Sequence, residues 1–258
     1  IVQGHLMSSH VLFVFEGAGA EPNIARNLRN TILDRDNKIV VQTTYGMNIY
    51  KLFREITKDE YFDTYEFISE QLENRENPTD DDLAVMEIED PENISEIYLF
   101  FDYDCHCSNA DDNKIRHMVE LFNDAQDKGL LCVSYPMVEA IRHQTGHEVE
   151  YLTHDTTDLS NYKRWVNSAP EMGEQFHNWG LYTQDIWGSI SKQHLSRANC
   201  LLTDTLELPT SPICTIELFE KQMEKHRPYD QVAVISGFPL MLLDHYGSDT
   251  YKALGLMA

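Results

Sequence analysis

Val11-Leu12-Phe13-Val14-Phe15-Glu16-Gly17 and Ile97-Tyr98-Leu99-Phe100-Phe101-Asp102-Tyr103-Asp104 are the two stretches on which the fold turns. Each is an unbroken run of β-branched and aromatic residues of strand length, and each stops at a carboxylate. A strand with one wet face would alternate apolar and polar residues. Runs that do not alternate read as strands buried on both faces, as in a parallel sheet covered by helices.

The flanking segments agree with that reading. After Gly19, Pro22 falls in a first helical turn, and Ile24, Leu28, Ile32 and Leu33 recur at helical spacing. Residues 38–43 read as a second strand, and 49–72 as one or two amphipathic helices. Ile115, Met118, Val119, Leu121, Phe122 and Ala125 form an apolar helical stripe stopped at Gly129, before a strand at 130–133 and a helix starting at 138–143. Strands alternating with helices predict an α/β domain built on a mainly parallel, Rossmann-like sheet. Residues 147–227, with Trp165, Trp179 and Trp187, break the rhythm and read as an inserted or appended helical subdomain. The core is then 8–146, and 228–258 return to it with a strand at 232–235 that rejoins the sheet and a helix at 239–246. Met7-Ser8-Ser9 resembles a natural start, so residues 1–6 are set aside as a non-native leader.

The chain of 258 residues carries a formal net charge of −23, yet 42 % hydrophobic residues are ample for a core. Ten acidic residues against Arg75 in residues 73–96 supply −9 of that charge. This segment, with prolines at 78 and 91, reads as a solvated loop with a short ordered piece at 83–88, where alternation also suits an edge strand. No apolar run approaches a membrane span, no secretory signal is evident, and five scattered cysteines describe no disulfide framework. A soluble, cytoplasmic protein is expected. The acidity argues against nucleic-acid binding through a broad basic surface.

In open α/β sheets the functional crevice lies beyond the carboxyl ends of the strands. Glu16 ends the first run, and Asp102 and Asp104, two apart, end the other. If the strand continued that far, both aspartates would lie on one side of it and share one Mg²⁺, with Glu16 completing the site or acting as general base. Such a centre supports metal-assisted attack on a phosphodiester. Alone, an Asp-x-Asp after a strand is more often a turn or a helix cap.

The conjunction of Glu16-Gly17 with Asp102-x-Asp104 resembles the Toprim domain of topoisomerases, primases and OLD-family nucleases. Phe15-Glu16-Gly17-Ala18-Gly19-Ala20-Glu21-Pro22-Asn23 is similar to the opening motif of the RloB-like Toprim proteins of bacterial abortive infection, and Ser134-Tyr135-Pro136-Met137-Val138-Glu139-Ala140 to a second motif of theirs. The resemblance spans roughly residues 11–145. It implies a Toprim-like fold and a nuclease using Mg²⁺ (or Mn²⁺), with Glu16, Asp102 and Asp104 as metal-binding and catalytic residues and Glu21 and Glu139 as further metal ligands. It also implies a DNA or RNA substrate, tRNA included, and a partner ATPase that senses infection, and it is compatible with a homodimer. Ala20 stands where Thr is usual, and Tyr103 where Arg is frequent; neither removes a carboxylate. The competing reading is an inactive Toprim-like subunit that docks a basic partner through its acidic surface.

Other patterns carry less. Cys105-His106-Cys107 invites zinc, but Cys132, Cys200 and Cys214 are isolated, and His143 and His147 lack a cysteine partner. His106 and Arg26 are candidates for contact with substrate phosphate, Arg26 alongside Arg29 and Lys38 and equally well explained as a solvated helix face. A Cys–His catalytic pair rests only on the presence of both residue types. Gly17-Ala18-Gly19 lacks the Lys-Ser/Thr of a P-loop and the third glycine of a dinucleotide fingerprint. The tryptophans read as core packing in preference to base-stacking platforms.

Overall fold

The computed structural model describes residues 9–33, 38–57, 62–146 and 148–256. Residues 1–6, expected to be a leader, and His147 lie outside them. The main sheet contains β1 (His10–Phe15), β2 (Ile39–Thr44), β3 (Ile94–Asp102), β4 (Asn123–Asp124) and β5 (Gly129–Ser134) in the order β2-β1-β3-β5-β4. Every pair is parallel except β4 with β5. The architecture is therefore α/β, with a mainly parallel five-stranded sheet flanked by helices.

The non-alternating runs are buried on both faces because helices cover both. Val11, Phe13, Phe15, Tyr98 and Phe100 pack toward α1 (Ala20–Thr31), the start of α7 (Gln184–Thr203) and α9 (Gly237–Tyr246), with Phe100 stacked on Phe238 at 4.6 Å. Leu12, Val14, Leu99, Phe101, Leu131 and Val133 pack toward α2 (Ile49–Ile56), α3 (Thr64–Glu73), α5 (Asp112–Leu121) and α8 (Thr215–Lys225). α6 (Leu159–Ser168) lies over the short 3-10 turn Val138–Arg142, burying Leu159, Tyr162 and Val166 with Met137. That turn is all that forms where a longer helix was expected.

Three further expectations are corrected. The acidic segment is more ordered than a solvated loop: α3 runs into it, and α4 (Asp80–Met86) overlaps the short ordered piece expected at 83–88, as helix and not as edge strand. Thr79 and Asp82 form a reciprocal capping box, which satisfies the orphan amides at the helix start, and the three aspartates of the first turn suit the positive end of its dipole. Asp82 is buried and holds α4 to the sheet: it accepts from Thr43 Oγ1 (2.6 Å) and Arg75 Nη1 (2.8 Å). These bonds offset burial and hold its carboxyl below the usual range, so it contributes stability that is lost as pH falls through that lowered value. Asp82→Ala leaves Arg75 and Thr43 without their acceptor and is expected to cost about 3 kcal/mol in urea unfolding at neutral pH. A cost within error of zero contradicts this role.

Secondly, the 115–125 stripe does not run on to Gly129. α5 stops at Leu121, the chain enters the β4–β5 hairpin, and Gly129 has φ +112, where a Cβ would come 2.7 Å from Leu99 Cδ1. Thirdly, the strand expected to rejoin the sheet does not. β7 (Gln231–Ala233) pairs antiparallel with β6 (Thr153–Asp155) in a separate ribbon. Among the described residues its backbone pairing with the main sheet's end is limited to the Tyr135–Ile235 bridge, because β4 already pairs with the start of β5 and Pro136, next after Tyr135, has no N–H to extend a ladder. A four-residue α10 (Thr250–Ala253) ends the described fold.

Candidate functional site

β1 and β3 are neighbours in register, Phe15 opposite Phe100, so their carboxyl ends deliver Glu16 and Asp102 to one place. The Asp102 N–H donates to Glu16 Oε2 (3.0 Å), and the Val138 N–H donates to Asp102 Oδ1 (2.8 Å). Backbone amides thus fix both carboxylates without neutralising them. Strand alternation does not carry Asp104 in: β3 ends at Asp102, and Asp104 is itself left-handed (φ +47), its carbonyl accepting from the Cys107 N–H (3.0 Å). This corrects the premise of a strand continuing through both aspartates.

Glu21 enters from the first turn of α1 and Glu139 from the 138–142 turn, both almost fully buried. Burial comes first in lifting Glu16, to about 8, with the charges of Asp104 and Glu21 adding to it. Burial likewise lifts Glu21 to about 7, with Glu139 adding. Asp102 is pushed well above the carboxylate range by burial and then by Glu21, Glu16, Asp104 and Glu139. The five carboxylates named from the sequence therefore feel one another as one cluster.

Among the described residues Arg142 feels the charge of Glu139, and Lys163 pairs with it directly. Lys163, from α6, places Nζ 2.9 Å from Glu139 Oε1 while its side chain stays largely exposed, and Glu139, Glu21 and Asp102 raise its pKa. Sequence reading missed Lys163. Its only signal is a single lysine in an amphipathic helix, and nothing local says that the helix faces the strand ends. Arg26 is not directed at the cluster: it pairs with Asp81 (2.9 Å) and accompanies Asp81, Asp82 and Thr79 around a cavity of about 140 Å³. His106 is exposed, with Nδ1 3.9 Å from Asp104 Oδ1. The Cys107 thiol is pushed up to about 12, by burial and then by Asp104, so it is no activated nucleophile. Of the tryptophans, Trp187 is fully buried, whereas Trp165 stacks on His154 at the surface and Trp179 lies under the Arg142 guanidinium at 3.6 Å.

Carboxylate oxygens are the donors a hard divalent cation takes, and these buried carboxylates carry more negative charge than Lys163 offsets. Among the described residues the ligand atoms that lie within 4.8 Å of one another are those of Asp104, His106 and Cys107, so a cation at the strand ends would have to draw Glu16, Asp102 and Asp104 closer together. The cluster pKa values set the pH dependence. Carboxyls raised in the folded state leave stability intact below the ordinary carboxylate range, and that stability is lost as pH rises through about 7 to 8. A cation binds the deprotonated form. Mg²⁺ is therefore expected to raise the melting temperature at least about twofold more above pH 8 than below pH 6, as read by thermal shift. A Mg²⁺ effect independent of pH contradicts the assignment.

Among the described residues no helix is long and apolar enough to cross a membrane. Comparison of the chain with family models, with curated proteins and with solved structures returned no match.

Proposed function

We propose that this chain is a Toprim-type nuclease that cleaves phosphodiester bonds with the help of Mg²⁺ or Mn²⁺, and that it is the toxic effector of a bacterial anti-phage system. The observation that carries this reading is the convergence of Glu16, Asp102 and Asp104, with Glu21 and Glu139, at the carboxyl ends of two adjacent parallel strands.

Glu16, Asp102 and Asp104 would hold the metal, with Glu21 and Glu139 as further oxygen ligands. Bound there, the ion would stabilise charge on the attacking and leaving oxygens of an in-line displacement. The remaining work falls to the chain. The amides of Asp102 and Val138 keep the carboxylates aimed before substrate arrives. Glu16 would either complete the metal site or, standing beside it, take the proton of an attacking water. Lys163 balances Glu139 and has the exposure to reach a non-bridging phosphate oxygen.

A chain of net charge −23 grips a polyanion weakly. The basic surface is assigned to a partner, an ATPase that holds or activates the effector, or to a second copy. Incubating the purified chain with Mg²⁺ against plasmid DNA and total tRNA tests the reading: scission that stops with EDTA is expected and also identifies the substrate. Binding of a basic partner with no cleavage of either substrate, with and without the partner, would favour an inactive docking subunit.

A further inference from the structure

Asp104 belongs to two sets of groups. Its charge acts on Asp102 and Glu16 at the strand ends, and its carboxylate meets His106 and Cys107, two and three residues further along the same turn. The left-handed backbone at Asp104 folds this turn back, so that one ligand atom each of Asp104, His106 and Cys107 lies within 4.8 Å of the others. Cys107 Sγ is 3.2 Å from Asp104 Oδ2, and His106 Nδ1 is 3.9 Å from Asp104 Oδ1. Ligand bonds of zinc length arranged tetrahedrally put oxygen and nitrogen about 3.4 Å apart, and oxygen and sulfur about 3.6 Å apart. The observed oxygen–nitrogen spacing is about 0.5 Å longer and the oxygen–sulfur spacing about 0.4 Å shorter, adjustments that side-chain rotation in a partly exposed turn can make.

We propose that Asp104, His106 and Cys107 form a binding site for Zn²⁺, separate in chemistry from the hard-cation centre but sharing Asp104 with it. A thiol and an imidazole suit zinc and are poor partners for Mg²⁺. Asn48 Nδ2 lies 3.9 Å from the Cys107 sulfur, where an amide donor orients a thiolate ligand. Cys105 is not in the group: its sulfur is not among the ligand atoms within 4.8 Å of one another, and its side chain packs against two apolar clusters where that of Cys107 packs against one. The zinc pattern visible in the sequence, Cys105-His106-Cys107, thus resolves into a different triplet, with an aspartate in place of the first cysteine. A site of three protein ligands leaves a fourth position for water or for Glu16, whose charge acts on Cys107. Because Asp104 belongs to both centres, Zn²⁺ and Mg²⁺ compete for it.

Co²⁺ added to the metal-free full chain tests this as a coloured substitute for zinc. The expected result is a near-ultraviolet thiolate-to-cobalt absorption that is lost in Cys107→Ser, retained in Cys105→Ser and weakened in affinity at least about tenfold in His106→Ala. Excess Mg²⁺ should lower the apparent Co²⁺ affinity. Loss of the band in Cys105→Ser, its persistence in Cys107→Ser, indifference to Mg²⁺, or no band at all would overturn the proposal. Should Cys107→Ser fail to fold, alkylation of the unaltered protein decides. Zn²⁺ should shield Cys107 but not Cys214 from iodoacetamide, by peptide mass spectrometry, and equal labelling of Cys107 with and without Zn²⁺ overturns the site. Neither readout measures cleavage, so a failure of the nuclease reading would appear separately.

Discussion

Glu16→Gln is expected to lower phosphodiester cleavage by about 10³-fold, the scale seen when one preorganised electrostatic element is removed from an active site. The same change should make the metal-free protein more stable. Glutamine is nearly isosteric and keeps a side-chain oxygen to accept the Asp102 N–H, while removing a charge that burial, Asp104 and Glu21 all disfavour. A gain of about 1–2 kcal/mol, or about 3–6 °C in melting temperature for a chain of this size, is expected above pH 8. It should vanish on acidification, when the native glutamic acid is itself protonated. These opposite movements separate a functional carboxylate from a structural one. Replacing a structural carboxylate such as Asp82 costs stability, because its acceptor bonds hold the fold together. A Glu16→Gln protein that melts lower and cleaves normally would reverse the assignment.

Trp187→Ala is expected to be the most destabilising single change outside the strands, at about 3–5 kcal/mol. The indole is fully buried, donates from Nε1 to Asn27 Oδ1 (2.8 Å) and packs edge-on against Tyr182, so it fastens α7 to α1. Truncation opens a large cavity and leaves the Asn27 amide oxygen without this donor. Trp165→Ala, at a side chain more than a third exposed, should cost about 1 kcal/mol and provides the control. Equal costs in urea unfolding would contradict this division. Because α1 also carries Glu21, loosening its contact with α7 should weaken metal binding as well.

The strands and their terminal carboxylates were legible because a run such as Val11–Phe15 has one physical solution: it must be covered on both sides. What lies beyond a strand end was legible only in part. Asp104 reaches the cluster through a positive φ, which residue alternation does not encode. The helix at Asp80–Met86 was obscured because its acidic composition resembles solvated chain, although Thr79 and Asp82 already carried the spacing of a capping box. The location of Val232 was hidden for another reason: an apolar run specifies burial without naming the strand beside it, and β6 was the partner available. Lys163 lay furthest from view. Its role depends on packing between α6 and the 138–142 turn, a tertiary contact with no local signature.

The central claim is that the strand-end carboxylates form a divalent-cation centre. Anomalous diffraction from crystals soaked in millimolar Mn²⁺ tests it most directly. The account predicts a manganese peak within coordination distance of Glu16, Asp102 and Asp104, absent from Glu16→Gln crystals treated alike. Manganese bound elsewhere, with those three carboxylates bare, would contradict it.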